Sequence, residues 1–450
     1  CKLVSHPYSE NESNASYYGH YKETLLRYPA HSFSVIPYRW MLKDSKTNES
    51  FIANELGLNY DPQKEPDLGF ANIWVQQIDN QKEVLDTFSS AIQEEKSLIF
   101  IYAKNIPLIE TGGRVLIGVG RVKKIGAITE YAYKKSNPPF RSILWERPIY
   151  HSIRHDFKDG FLLPYSVFLE LAAKDDSINP YDYVAFAPNI EEFSYGSEHV
   201  NHDTAIDSLI ILRDSLQKFS MLLDKNYNAQ IDWINNEISK LWNMRGAFPG
   251  LGSVLSAMGI AEGNLIAWEI EKTIHDKDGD ELKSNPWDYV DKIFKGDKKI
   301  LSKNLVKHIG PTLSQVWNVM PYKKKQYLQL LSRFQLNNDQ AKSFYDKDDI
   351  DEYLRNPYLF YELSRLVDDP ILFSTVDKAL FPSEKINDLF PIPSPSAATE
   401  KVDQRRVRAL GVDILEDVAT AGNTLLSEEQ FITKIDEAMI EPTCPITKDI

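Results

Sequence analysis

The apolar pattern of this 450-residue chain changes period near residue 200, and that change bounds the folds open to it. Upstream, residues 97–103 read Ser-Leu-Ile-Phe-Ile-Tyr-Ala, an unbroken run of the kind that fills a buried strand. Residues 114–122 form a second run, interrupted by Gly118 and Gly120. Glycine inside a strand marks a bend or a close backbone approach. Residues 127–133 and 142–145 read as further short strands. Downstream, Ile206, Leu209, Ile210, Leu216, Phe219 and Leu223 recur at helical spacing, and Ile231, Ile234, Ile238 and Leu241 make the next stripe. A third helix is expected over 80–94, on Val84, Leu85, Phe88 and Ile92, and a last one over 402–421, stopped by Gly422. The expected fold class is therefore α+β and multi-domain, with a small β-barrel-like module followed by a mostly helical half. The expected divisions are an irregular segment over 1–66, the β-rich module over 67–200 and a helical domain over 201–389. A Pro/Ser linker over 390–400 and a helical segment over 401–450 follow.

Charge limits the partners. The chain has 51 Lys+Arg against 65 Asp+Glu, a formal net charge of −14. That balance excludes a polybasic coat for nucleic acid or membrane, so any contact with DNA must come from a local patch or from backbone amides. With only Cys1 and Cys444, no disulfide framework or cysteine-based zinc site can be built. No signal peptide and no long apolar run are evident, which points to a soluble, cytoplasmic setting without membrane contact. Sequons at Asn11, Asn14 and Asn48 are then chance matches. The start at Cys1, in a polar stretch, suggests a fragment of a longer protein.

Several chemistries are excluded or unsupported. There is no G-x-x-x-x-G-K-[ST], hence no P-loop. Gly118, Gly120 and Gly126 have the wrong spacing for a dinucleotide fingerprint. The acidic run 276–280 misplaces its glycine for a calcium loop and reads as a solvated turn. Two clusters, His151/His155/Asp156 and His199/His202/Asp203, hold metal-capable side chains. Structural or surface roles fit them better, with Asn201 or Asp203 placed to cap a helix. No catalytic residue, metal or cofactor is assigned.

The strongest local signal is 245–259, Arg-Gly-Ala-Phe-Pro-Gly-Leu-Gly-Ser-Val-Leu-Ser-Ala-Met-Gly. A helix ends near Trp242, and Pro249, Gly250, Leu251 and Gly252 open another: a helix-hairpin-helix pattern. Its glycines would let backbone approach a DNA phosphate, with Ser253 and its neighbours presenting amides at a helix N-terminus. Arg245 and the triplet Lys323, Lys324, Lys325 would add charge. Residues 328–345 carry the same apolar spacing without the glycines. Residues 366–379 carry it with Asp368 and Asp369 in their place, and read as a packing copy.

The order of these hairpins, followed by Asn356-Pro-Tyr-Leu359, 403–410, 414–419 and 422–426, resembles the N-terminal region of bacterial RecD-like superfamily 1 DNA helicases. The resemblance implies a DNA-binding region, in DNA repair or phage defence, that precedes an ATPase core. It implies contact with backbone phosphates of single-stranded or junction DNA, with ATP and Mg needed only by that missing core. The strand runs of 97–122 are similar to PUA-like barrels of the EVE and ASCH type. Those bind modified or flipped bases, and Trp74, Tyr102, Trp145 and Phe161 would wall such a base pocket. On the alternative reading the chain is a non-enzymatic reader or scaffold, its barrel sensing a base and its helices docking a partner protein.

Overall fold

The structure is a computed structural model that describes residues 1–7, 19–43, 58–68, 72–109, 113–138, 141–193, 199–274, 284–367, 369–398, 400–423 and 425–446. The sequons, residues 51–56, whose sequence reads as a short turn, the acidic run 276–280 and Asp368 lie outside these residues. The chain forms two compact units. The first comprises Cys1–Val200 and Ile211–Ile234; the second comprises Asn201–Ile210 and Asn235–Ile450.

In the first unit, β1 (Lys2–Val4) pairs antiparallel with β2 (Thr24–Leu26). Then come β3 (Ser32–Val35), α1 (Ile78–Ser90), β4 (Leu98–Ala103), β5 (Val115–Ile125), β6 (Arg147–His151), β7 (Gly160–Leu162) and α2 (Tyr165–Ala172). The main sheet runs β3-β6-β5-β4, all antiparallel, with β7 also on β5. β5 carries the sheet: its first part pairs β4 and β7, and its last residues pair β6. Gly118 and Gly120 permit this. A Cβ at Gly118 would stand 2.5 Å from the Phe161 carbonyl, and one at Gly120 would stand 2.6 Å from Ile153.

The expected barrel does not close. The strands foreseen over 127–133 and 142–145 supply only the isolated bridges Tyr21↔Tyr133 and Glu130↔Ile143. Nothing among the described residues joins β3 to β4. The core of the unit lies instead where Val115, Leu116, Val119, Phe168 and Phe219 are buried. The stretch expected to be irregular also contributes, since β3 is part of the main sheet.

Two long helices follow, α3 (His202–Leu223) and α4 (Asn228–Arg245), each of which gives residues to both units. α3 begins where Asn201 Oδ1 accepts the Thr204 amide at 2.9 Å, the cap foreseen for it. The second unit continues with α5 (Leu251–Ala257), α6 (Gly263–Ile274), α7 (Pro286–Phe294), α8 (Lys303–Val306), α9 (Pro311–Val319) and α10 (Tyr322–Leu331). Then come α11 (Asn338–Tyr345), α12 (Ile350–Arg355), α13 (Leu359–Glu362), α14 (Phe373–Leu380), α15 (Glu384–Leu389), α16 (Gln404–Thr420) and α17 (Glu428–Asp436). One continuous apolar core runs through them, with Leu251, Val254, Tyr327, Leu328, Phe334, Ala341 and Phe360 fully buried.

The expected linker over 390–400 is packed into this unit. Arg333 Nη2 donates to the Phe390 carbonyl at 2.7 Å, and Arg405 donates to the carbonyls of Pro395 and Ala397 at 3.1 and 2.8 Å. Ser396 Oγ donates to the Leu354 carbonyl at 2.8 Å. A proline-rich run has spare carbonyls, and two arginines consume them here. No helix among the described residues is long and apolar enough to cross a membrane.

Candidate functional site

The second unit brings together the two segments read from the sequence as helix-hairpin-helix units. α4 and α5 flank the first hairpin, residues 246–250, and α10 and α11 flank the second, residues 332–337. The hairpins pack on each other through their backbones. Gly250 N–H donates to the Ser332 carbonyl at 2.9 Å, and Ser253 Oγ donates to the Leu336 carbonyl at 2.7 Å. Trp287 Nε1 donates to Ser332 Oγ at 2.9 Å from behind. Asp369 and Pro370, from the third candidate segment, meet the second hairpin. Asn337 Nδ2 donates to Asp369, and Gln340 Nε2 donates to the Pro370 carbonyl at 3.3 Å.

The glycines make room for this packing. A Cβ on Gly250 would lie 2.2 Å from the Phe334 carbonyl oxygen, and one on Gly252 would lie 2.1 Å from Asn264 Oδ1. Leu251 is fully buried, Gly252 and Ser253 are buried, and Pro249 alone of the five is half-buried. The expectation that 249–253 presents amides at the surface is therefore corrected: the chain's own second hairpin and α6 cover them. Arg245 is corrected for a similar reason. Its guanidinium is buried, pairs with the Asp203 carboxylate, and donates to the Arg333 carbonyl at 3.2 Å. A buried, paired guanidinium has no free donors for DNA.

The lysine triplet stands at the start of α10 and is partly committed. Lys323 is exposed and pairs with Asp351 at 2.9 Å. Lys324 is half-buried and donates to the Tyr345 carbonyl; burial lowers its ammonium below the usual lysine range, against the pull of Asp346 and Asp348. Lys325 lies 4.4 Å above the Trp317 ring.

The four rings expected to wall a base pocket do not converge. Trp74 meets Tyr38 edge-on at 5.2 Å, and Tyr102 meets Phe193 at 5.6 Å. Trp145 packs on the core of Trp40, Val84 and Phe88. Phe161, 2% exposed, meets Trp233 at 6.1 Å. Phe161 is buried and the other three are half-buried, each among different neighbours.

A concave site does exist in the first unit, at other residues. A cleft of about 400 Å³ is lined by His31, Phe33, Ile101, His151, Ile153, Arg154, His155, Asp156 and Leu162. That volume is in the range of small-molecule sites. Register places it: β3 pairs β6, so Phe33 stacks on His151 with ring centroids 4.5 Å apart. Ile101 of β4, Leu162 of β7 and Ile153 after β6 line it beside Arg154, His155 and Asp156, the last two of them exposed. The sequence singled out His151, His155 and Asp156 but gave no signal for His31 or Phe33, which are brought in by strand pairing.

His151 Nδ1 accepts the Ile153 amide at 3.2 Å, which puts the ring proton on Nε2. Burial, then the charge of Arg154, holds its pKa down at about 4, so the ring is neutral near pH 7. The second histidine cluster is divided. His199 Nε2 bonds the Phe88 carbonyl at 2.9 Å in the first unit, and Asp203 is spent on Arg245 in the second. No group of three His, Cys, Asp or Glu side chains among the described residues is placed to hold a metal.

Burial lowers the pKa of His6 to about 3 and also lowers those of His199 and His202. The unfolded chain then takes up these protons first, near the ordinary value of 6.5. The stability these histidines contribute is expected to be full above pH 6.5 and to be lost as the pH drops toward 4, with part of the loss offset by Glu271 and Asp413, whose pKa values burial raises to about 7 and about 6. Denaturant midpoints measured across that interval check this, and a flat profile between 6.5 and 5 would contradict it.

Comparison with protein-family models, with curated proteins and with solved structures finds no match to this chain.

Proposed function

We propose that the chain is a DNA-engaging accessory region of a RecD-like helicase, and that it holds nucleic acid without acting on it chemically. The observation that carries this reading is the face-to-face packing of two helix-hairpin-helix units, joined by the Gly250–Ser332 and Ser253–Leu336 bonds. A lone hairpin between two helices is a common turn; two in tandem with paired hairpins form a rigid platform of the kind used to grip a nucleic-acid backbone. On this reading Gly250, Gly252 and Arg245 build the platform, and phosphate contact falls to other surfaces of the second unit. ATP and Mg belong to a motor core outside these residues.

Binding of labelled single-stranded, duplex and forked DNA at about 50 mM salt tests the proposal. Dissociation constants in the micromolar range or tighter are expected, weakening steeply as salt rises. Absence of binding to all three at low salt would overturn it. A P-loop in the reading frame that follows Ile450 would support the parent class, and a stop codon there would remove it.

A further inference from the structure

We infer that the contact surface for DNA is a lysine-rich face built from α7, α8, α9 and the start of α10, a proposal that rests on the DNA-binding reading above. Between Asp291 and Lys325 the sequence holds nine lysines and two aspartates, with no arginine or glutamate, inside a chain of net charge −14. The rest of the protein is therefore more acidic than the total suggests, and this stretch stands out as a local excess of positive charge.

The stretch is folded as one body. Trp317 of α9 stacks on Trp287 and Phe294 of α7 at 5.8 and 5.3 Å, and its Nε1 donates to Asp291 at 3.1 Å. Lys325 caps the same ring. Lys298 Nζ donates to the Ile309 carbonyl at 2.7 Å, which ties the turn after α7 to the turn before α9. The nearby acids are engaged only in part. Asp291 is held by Trp317 and by Lys295 at 2.5 Å, and Glu269 of α6 accepts the Ser302 amide at 2.7 Å. Asp351 is paired with Lys323, while Asp288, Asp297, Asp346 and Asp348 are exposed.

That leaves Lys299, Lys303 and Lys307 exposed and without a carboxylate partner among the described residues. Lys292 is exposed too, beside the Tyr289 ring at 4.6 Å. On this face the lysines outnumber the exposed acids, which are Asp288 and Asp297. At its edge Tyr322 is 75% exposed and Val319 is 81% exposed, directly before Lys323. Lysines that track a phosphate backbone, with a free aromatic face beside them, are the two components of a sequence-tolerant grip on unpaired nucleic acid. The committed occupant is thus the backbone of single-stranded DNA.

The test compares three full-length proteins on a labelled single strand over a salt series. They are the natural chain, the variant Lys299→Gln/Lys303→Gln/Lys307→Gln, and a charge-matched control, Lys342→Gln/Lys401→Gln/Lys434→Gln. The first variant is expected to bind at least tenfold more weakly at low salt. Its log–log salt slope should fall by about 2, since each lost phosphate contact on a single strand removes roughly 0.7. The control should match the natural chain in affinity and slope. All six positions are exposed, so unchanged unfolding midpoints confirm that the folds are intact. If the natural chain binds and the first variant binds equally well, this face is not the contact surface, although the DNA-binding reading stands. Equal losses in both variants would show a net-charge effect and overturn the site. No binding by the natural chain overturns both readings.

Discussion

Replacing Gly250 with valine is expected to destabilise the second unit by about 3 kcal/mol, the upper end of the usual overpacking range. In a unit of this size that is a fall of roughly 6–12 °C in its unfolding midpoint. The cause is geometric. The new Cβ would start 2.2 Å from the Phe334 carbonyl oxygen, which is backbone and cannot rotate aside. The hairpins would have to separate, which strains the Gly250–Ser332 hydrogen bond at 2.9 Å and the Ser253–Leu336 bond at 2.7 Å. The same substitution distinguishes the two roles that a hairpin glycine can have. A glycine that only admits a phosphate would leave the midpoint where it was and weaken DNA binding. A glycine that admits the other hairpin lowers the midpoint with or without DNA. Scanning calorimetry of Gly250→Val gives the result directly, and an unchanged midpoint would refute the packing role.

A second large effect is expected at Arg406, which is fully buried. Its guanidinium clamps Asp377 with bonds of 2.8 and 2.7 Å and also donates to the carbonyls of Lys401 and Pro442 at 2.9 and 2.6 Å. Tyr358 OH donates to the same carboxylate at 2.6 Å. Arg406→Met keeps the bulk and removes every one of these donors from the arginine. Asp377, 3% exposed, is left charged with one phenol for company. Breaking a buried pair from one side costs about 3–5 kcal/mol, much of it the stranded charge. The double variant Arg406→Met/Asp377→Leu removes that charge, so it should recover a substantial part of the loss. Denaturant midpoints of the single and double variants measure this. A double variant as unstable as the single would mean that the lost carbonyl bonds, and not the carboxylate, dominate.

Both effects bear on what the sequence could disclose. The change of hydrophobic period placed the long helices that follow residue 200, because periodicity records which face is buried. It placed β4 and β5 for the same reason. The barrel failed because 127–133 and 142–145 are apolar enough for strands, yet strand formation needs a partner edge, and only single bridges find one. The hairpins were legible from Pro249 to Gly252, since few other contexts need that local chemistry. Their role was not. A glycine looks the same in a sequence whether a phosphate or a carbonyl comes close to it, and the carbonyl here is 84 positions away, at Phe334. Arg245 was misplaced for the parallel reason that its partner, Asp203, lies on another helix. By contrast the unpaired lysines at 299, 303 and 307 had a signal in plain view, a local count of charge between 291 and 325. The Lys323–Lys325 triplet drew attention because its residues are contiguous, although contiguity says little about which ammonium groups are free.

The route of the chain through α3 and α4 has a practical consequence for anyone dividing the protein. Residues 211–234 belong with the first unit, although the segments on both sides of them belong with the second. They carry Phe219, which lies against Phe168 and Tyr165 at 5.1 and 5.8 Å, and Trp233, whose Nε1 donates to Asp159 at 3.1 Å. Cutting after Val200 would therefore yield an amino-terminal piece missing part of its own interior, and a carboxy-terminal piece burdened with sticky aromatic surface. No single scission point separates two self-sufficient halves, because the polypeptide is interleaved.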